Sequence, residues 1–550
     1  AIHLAARLQA IAEPGPVMVS DTTRRIVRER FRFEPLPQPL RLKGFDTEQV
    51  CHRLLGPSLP SSAPAHGAHE LPPVAPFVGR RDELQKLLAH WDEARAGSLR
   101  IVRILGEAGI GKSRLVREFR RTLVDAGHAV FDGRCSPDHV STAFHPLIKT
   151  LRNELRLRAE EPAEAALTRL RAMVSRIGVN DEGAVALLAD LLSLPQPVQH
   201  AVLEQGAQRR RQLTIDLLVH LARRRLRQAP GCLIVEDTHW LDPSTAEYLD
   251  RLAAATRGEP LLILATARSD VENRWHPRFA VYETELQGLS PALARAMVMG
   301  TCGDRRLPSE VVQLIAARTD GIPLFIEESA RMAIDLGADQ EVPAPGAMPV
   351  PETVLDLLTA RLDRLGPAKH VAQVGATIGR EFPLPLLHAV MEHPRSPTVA
   401  RGPDAQLAEL VRAGMLLPPR DDADGARFVF RHALMRDAAY GSLLDRDRLR
   451  LHQVIASVIA ERFGHLAERQ PELLAFHYTE AGMDAEALRY WEAAARKAAS
   501  RSAHAEAIGH IGSALAVLER SPASDDRHRA ELRLQLLLAA RLIATRGYGA

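Results

Sequence analysis

The chain holds 550 residues with 71 basic and 68 acidic side chains, a formal net charge of +3, and 46% hydrophobic residues. That length suits about three to four domains, and the balance excludes a disordered or fibrous chain and one that coats nucleic-acid phosphates along its whole surface. Cys51, Cys135, Cys232 and Cys302 lie far apart with no CxxC spacing, and no long apolar run or signal-peptide pattern occurs. Neither a disulfide framework nor a zinc site nor a membrane span is indicated, and the expected compartment is the cytoplasm.

Ala1–Leu55 opens on a helical pattern, HLAARLQAIA, followed by the turn EPGP, a strand at VMVS and a second helix beginning at Asp21. The chain starts at Ala1 inside this pattern and closes within a helical array, so it reads as a piece of a longer protein. Residues 56–76 are rich in proline and poor in apolar periodicity, as a semi-extended linker is. From residue 77 to 336, apolar β-prone runs alternate with amphipathic helices, which predicts a doubly wound parallel sheet. The runs are Leu99–Leu105, Ala129–Asp132, Cys232–Val235, Leu261–Ala265 and Val281–Leu286, with a long helical insertion over Ala143–Arg227. A second Pro-rich break spans 337–351. Residues 352–445 combine short helices with GMLLPPRDDADGARFVF, two β-prone runs about a polar turn, which suits a winged-helix unit. Residues 446–550 are alanine-rich and apolar at helical spacing, which predicts a tetratricopeptide-like array without a clean 34-residue period. The fold class is thus α/β followed by mostly α. The arginine runs Arg209–Arg211 and Arg223–Arg225 read as solvated helix faces.

Chemistry concentrates in a few short segments. GEAGIGKS (Gly106–Ser113) matches GxxxxGK[ST] between an apolar run and an amphipathic helix. Gly106, Gly109 and Gly111 let the backbone curl its N–H groups towards phosphate oxygens; Lys112 reaches the β- and γ-phosphates, and the Ser113 hydroxyl takes Mg²⁺. Lysine occurs only six times in the chain, which makes its presence here more telling. GCLIVEDTHWLD (Gly231–Asp242) is an apolar strand ending in two acids, where ligands collect at a parallel sheet edge. Glu236 takes the magnesium role by position and Asp237 the water-activating role. The next strand ends at Thr266 and Arg268, from which Arg268 can reach a γ-phosphate.

Together these motifs resemble STAND-type P-loop ATPases, the signal-transduction branch related to AAA+ proteins. The resemblance runs from Phe77 to the end of the chain. It implies that FVGRRDEL (Phe77–Leu84) packs on adenine near Val78, Gly79 and Arg80, and that Pro323 of RTDGIPLFIEE lies against the nucleotide. It also implies that His432, at the end of the winged-helix unit, senses ADP phosphates. Glu236 departs from the family's usual aspartate. Ala1–Leu55 is similar to the C-terminal end of class III adenylate/guanylate cyclase domains, with Arg7 and Lys43 at phosphate-contacting places and His3 where asparagine is usual. The metal-binding half of such a domain is not in this sequence. This arrangement resembles bacterial relatives of soluble adenylyl cyclase, and it implies an ATP- and Mg²⁺-dependent switch that regulates an attached cyclase. The helical repeats would recruit a protein partner, oligomerisation is open, and neither a membrane nor a nucleic-acid partner is indicated. Two other readings stay open: an ATP-regulated transcription activator whose DNA-binding part lies elsewhere, and a scaffold that binds nucleotide without turnover.

Overall fold

The computed structural model describes residues 77–546 except 158–160, 196–199, 274, 304, 338–350, 397–402 and 423–424, together with residues 8, 17–20, 31–36, 40 and 51–57. The chain divides into two compact units, Ala1–Glu70 and Leu71–Ala550.

In the first unit, β1 (Met18–Ser20), β2 (Phe31–Pro35) and β3 (Cys51–Pro57) form an antiparallel sheet with β3 in the middle. Leu8 and Cys51 are buried there, with Met18, Leu36 and Leu40 packed against them. Arg7 and Lys43, the cyclase-like positions, lie outside the described residues, as do most of both Pro-rich segments.

The second unit begins with α1 (Arg81–Arg95) and β4 (Arg100–Leu105), then α2 (Lys112–Asp125) and β5 (Ala129–Arg134). The helical insertion supplies α3 (His145–Glu154), α4 (Ala163–Arg176), α5 (Glu182–Leu191) and α6 (Ala207–Leu226). There follow β6 (Gly231–Glu236), α7 (Pro243–Ala255), β7 (Leu261–Ala267) and β8 (Val281–Glu285). The five strands are all parallel, in the order β5-β6-β7-β4-β8. Strands covered on both faces read as continuous apolar runs, and β7 is buried at every position. On α2, Leu115, Phe119 and Leu123 recur at the i, i+4, i+8 spacing of one helix face and are fully buried against the sheet. β5 and β6 run past their apolar cores to Arg134 and Glu236, which stand opposite each other in the ladder. Pairing continues there because backbone hydrogen bonds do not require apolar side chains; the polar tips lie at the sheet edge.

A small helical layer, α8 (Pro291–Cys302), α9 (Ser309–Arg318) and α10 (Pro323–Asp335), has its own core of Ala294, Val298, Ile315, Ile326 and Ala330. The next part comprises α11 (Val354–Arg364), α12 (Pro367–Ile378), β9 (Glu381–Pro383), α13 (Leu384–Glu392), α14 (Pro403–Arg412), β10 (Arg420–Asp422), β11 (Gly425–Val429) and α15 (Ala433–Gly441). Its sheet has the order β10-β11-β9. The two runs pair about a polar turn, with an interruption between them. The apolar run Met415–Leu417 contributes a single bridge, Leu416 to Phe430, and the paired strand is the polar Arg420–Asp422. Pro418 and Pro419 intervene, and two residues without N–H donors cannot carry a ladder through. At the centre, the ring of Phe382 fills the space beside Gly375, where an added Cβ would stand 2.7 Å from the ring.

The helical array is α16 (Asp445–Arg462), α17 (Gly464–Arg469), α18 (Pro471–Glu480), α19 (Asp484–Ser500), α20 (His504–Glu519) and α21 (Asp525–Arg546). The last four pack successively, each on the next. Buried alanines at 487, 494, 495, 507 and 514 permit that close approach. The arginine runs are solvated as expected at Arg209 and Arg224, and Arg223 and Arg225 stay partly exposed while pairing with Glu259 and Glu154; Arg211 departs, being largely covered against Glu247. Helix periodicity alone does not show that a carboxylate from another element lies opposite. Among the described residues, no helix is long and apolar enough to cross a membrane.

Candidate functional site

The chain leaves β4, curls through Gly106–Ser113 and enters α2. Gly106, Gly109 and Gly111 have φ of 152°, 82° and 102°, the last being the helix N-cap. Two of these turns are also sterically closed. A Cβ at Gly106 would stand 2.8 Å from Ile110 Cγ2, and one at Gly109 would stand 3.1 Å from Leu324 Cβ. Lys112 is buried, and its Nζ donates to the carbonyls of Gly106 (2.6 Å) and Glu107 (2.9 Å), so the ammonium lies across the curl. Burial pulls its pKa below the usual lysine value; the Asp237 charge opposes this and that of Arg268 adds to it.

Glu236 ends β6 and accepts a 2.6 Å hydrogen bond from Arg134 Nη2 on the adjoining tip of β5. The Ser113 hydroxyl acts on it from the start of α2. Burial alone would raise its pKa, but the Arg134 charge and hydrogen bond, the Ser113 hydroxyl and the Arg380 charge together hold it below the usual glutamate value. The same contact with Glu236 raises the Arg134 pKa. Asp237 follows with φ 59°, an uncommon conformation for a non-glycine residue, and Thr266 fixes it. The Asp237 N–H donates to Thr266 Oγ1 at 2.9 Å, and Thr238 Oγ1 donates to the Thr266 carbonyl at 3.0 Å. Arg268 stands just beyond the end of β7, exposed, within electrostatic reach of Lys112 and His239.

The roof over the loop is α10. Its first residue, Pro323, lies 3.7 Å from where a Cβ on Gly111 would be, and Leu324 N–H donates to the Gly109 carbonyl at 3.2 Å. Val78 packs against the core of the helical layer. Arg80 is buried: Nη1 donates to Glu83 (2.9 Å), while Nη2 donates to the carbonyls of Gln287 and, at 3.4 Å, Ile110. Its guanidinium therefore ties the entry segment to the phosphate loop.

The winged-helix part faces the two acids. Arg380 Nη1 donates to Asp237 Oδ2 at 3.1 Å, and the adjoining Glu381 pairs with Lys149 and Arg427. His432 forms the N-cap of α15, and its buried Nε2 has no hydrogen-bond partner. Burial, with Arg431, Arg117, Arg380 and Arg331 around it, pulls its pKa down to about 3, so the ring is neutral.

The fold thus gathers Gly106, Gly109, Gly111, Lys112, Ser113, Glu236, Asp237, Arg268 and Pro323 around one cradle, while His432 is buried among Arg431, Arg117, Arg380 and Arg331. Reading the sequence did not find Arg134, Arg380 or the anchoring role of Thr266. Arg134 had a weak signal, a charged residue closing a β-prone run; Arg380 had none, being 143 residues from its partner.

Residues 76–264 match the family model of the AAA ATPase domain. An uncharacterized protein of Rhizobium meliloti (strain 1021) is 28% identical over 559 residues, an alignment that covers 100% of this chain and 52% of the relative. The chain thus spans about half the length of the curated relative it matches. A signal transduction ATPase with numerous domains and a tetratricopeptide repeat sensor, from Pyrococcus horikoshii, is 12% identical with a TM-score of 0.39; the match covers 86% of this chain and 73% of that one. Cdc6p from Pyrobaculum aerophilum is 14% identical with a TM-score of 0.32, over 71% of this chain and 97% of its own.

Proposed function

We propose that the chain is the ATP-binding, slowly hydrolysing switch of a signalling protein. The observation that carries this reading is the meeting of Lys112, Ser113, Glu236 and Asp237 at the end of one parallel sheet. The donor set fits a magnesium-bound nucleoside triphosphate: a glycine-lined curl, a buried ammonium, a hydroxyl acting on a carboxylate, and the orphaned His432 Nε2. Ser113 and Glu236 would hold Mg²⁺, which supplies positive charge against the phosphate oxygens when bound.

The chain's own residues do the rest. Loop N–H groups and the N-terminus of α2 cradle the phosphates, and Lys112 adds a point charge. Asp237, its backbone held by the Thr266 hydroxyl, accepts the proton of the attacking water on a carboxylate oxygen. Arg268 distinguishes a γ-phosphate from its absence. Pro323, Val78 and Arg80 belong to the segments that close over the nucleotide, and His432 reports its state to the winged-helix part. The helical array recruits a protein partner.

The finer reading is that this switch governs a nucleotide cyclase activity of a longer protein, with Ala1–Leu55 as the cyclase end. What supports it is the likeness of HLAARL and RLKGF to that family.

Isothermal titration and steady-state turnover test the switch. Lys112→Ala is expected to lose most ATP affinity, and Asp237→Asn to bind ATP yet hydrolyse it at least about a hundredfold more slowly. Unchanged affinity in the first variant overturns the binding site; unchanged turnover in the second overturns the role of Asp237. The cyclase reading fails if a natural longer protein carrying this segment makes no cyclic nucleotide, or makes as much with Lys112→Ala.

A further inference from the structure

Helix α6 starts against the usual electrostatics. A helix N-terminus is the positive end of its dipole and ordinarily carries Asp or Glu. α6 instead has no acid in its first turn and opens Ala-Gln-Arg-Arg-Arg from an N-cap, Gly206, that has no side chain. Arg209–Arg211 therefore repel the pole and one another. The protein answers two of the three: Arg211 pairs with Glu247, and Arg210 Nη2 donates to the Ser500 carbonyl at 3.3 Å. Arg209 is exposed and has no ion pair among the described residues. It lines a cleft of about 600 Å³ between α6 and the helical array. Gln208 and Gln212 line it from α6, Ser502 and His504 from the turn into α20, and Arg541 from α21. Arg541 likewise has no ion pair among the described residues; its Nε and the Nδ1 of His504 are shielded from solvent and make no hydrogen bond there. Its charge reaches His504, adding to burial in holding the imidazole pKa below its usual value. No carboxylate lines the cleft, and no Phe, Tyr or Trp ring does. In a chain with 71 basic and 68 acidic side chains, two guanidiniums lining one cleft from separate elements without an acid are an uncompensated charge.

We propose that this cleft is a binding site for a small phosphate-bearing anion, gripped by Arg209 from the nucleotide-binding part and Arg541 from the array. A guanidinium presents paired N–H donors that match two phosphate oxygens. The uncapped first turn of α6 adds backbone N–H groups and the favourable end of the dipole. The anion thus offsets the charge that α6 leaves unmet. Gln208, Gln212 and Ser502 supply neutral donors and acceptors for hydroxyl groups, and the cleft is larger than a bare phosphate needs. It offers no aromatic ring on which a base could stack, so a sugar phosphate suits it better than a nucleotide does. None of these residues belongs to the phosphate loop or the acid pair, so the site is separate from the one at the end of β4 and does not rest on the reading of it. Because its two arginines come from different parts of the chain, the bound anion also ties the array to α6, beside the Arg210–Ser500 contact.

The test is calorimetric titration of the full chain with glucose 6-phosphate, inorganic phosphate and glucose, the phosphate loop being kept filled by a non-hydrolysable ATP analogue. Glucose 6-phosphate is expected to bind and glucose not; binding of inorganic phosphate alone supports the site with phosphate itself as its ligand. Arg541→Gln and Arg209→Gln are each expected to weaken the phosphate probe at least about tenfold, and Arg529→Gln, at the exposed start of α21, by less than about twofold. Arg209→Gln carries the test if Arg541→Gln does not fold, since Arg209 is exposed. In phosphate-free buffer Arg209→Gln removes an unmet cation from a helix start, so its melting temperature should rise; glucose 6-phosphate should then raise that of the parent and not that of the variant. Failure of both phosphate probes to bind overturns the proposal, as does binding that neither arginine variant weakens, or glucose binding as well as its phosphate. A lower melting temperature for Arg209→Gln also overturns it, because the guanidinium would then already serve the fold. A single-stranded oligonucleotide that binds through both arginines where the small probes do not would make the partner a nucleic acid and overturn the small ligand. If the ATP analogue does not bind while arginine-dependent phosphate binding persists, the nucleotide reading fails and this site stands.

Discussion

Replacing Gly109 by alanine tests whether α10 is seated on the phosphate loop. Gly109 has φ 82°, and its added Cβ would stand 3.1 Å from Leu324 Cβ. Gly97 supplies the control: φ is 103°, with nothing within 4 Å of the added Cβ. Each substitution carries the cost of an L residue with positive φ, about 1–2 kcal/mol, less a few tenths to about 1 kcal/mol for the stiffer unfolded chain. Gly97→Ala should therefore lose about 1 kcal/mol and no more. At Gly109 the methyl must also push Leu324 away by a few tenths of an ångström. Leu324 cannot yield freely, because its own N–H is bonded to the Gly109 carbonyl at 3.2 Å. Losing that bond adds about 1 kcal/mol, so Gly109→Ala should cost about 2 kcal/mol. Urea unfolding followed by circular dichroism gives both numbers on the same scale, and ATP titration gives the functional one. The expected result is a larger stability loss for Gly109→Ala and ATP binding weakened at least about tenfold, with Gly97→Ala binding as the parent does. Equal stability losses would refute the seating of α10 on the loop.

Three further outcomes follow from particular contacts. Glu506 of α20 is buried and accepts the Ser244 N–H at 2.9 Å, at the start of α7; Glu506→Ala leaves that donor unpaired and should cost about 1–3 kcal/mol, read as faster proteolysis between α7 and the array, and an unchanged digest would contradict it. His452 and His477 are buried against each other, Nδ1 to Nδ1 at 2.9 Å; burial pulls His452 down to about 3 and His477 well below its usual value of 6.5. Both are neutral in the fold, so their contribution is present above about pH 6.5 and is lost as pH falls, at about 1.4 kcal/mol per pH unit for each proton taken up on unfolding. Asp242, raised to about 6 chiefly by burial, acts in the opposite sense over the same window, so the reading is a comparison: His452→Gln should flatten the dependence of the urea midpoint between pH 6.5 and 5 by one proton, and parallel curves would sink it. Arg268→Ala should erase any difference between ADP and a non-hydrolysable ATP analogue in the rate of cleavage within residues 337–351, while leaving ADP affinity nearly intact; a persisting difference removes Arg268 from γ-phosphate sensing.

The local part of the protein was legible in the residues themselves. β7 is buried on both faces and therefore apolar throughout; α2 buries one stripe; the phosphate loop needs glycine at three positive-φ positions within a fixed spacing. Constraints of this kind act over a few bonds, and periodicity or a short motif records them. The two β-prone runs at 414–430 do pair, through the Leu416–Phe430 bridge, but which polar residues extend the ladder past the two prolines was not legible. What only the tertiary structure decided is the company each charge keeps. Arg134 meets Glu236 because two strands separated by the whole helical insertion lie side by side, and Arg380 meets Asp237 because a second sheet is brought against the first. Arg211, read as solvated, finds Glu247 on another helix. A charge tolerates many surroundings and imposes no period on its neighbours, so its partner is fixed by how apolar faces dock, and that docking is a property of the whole chain.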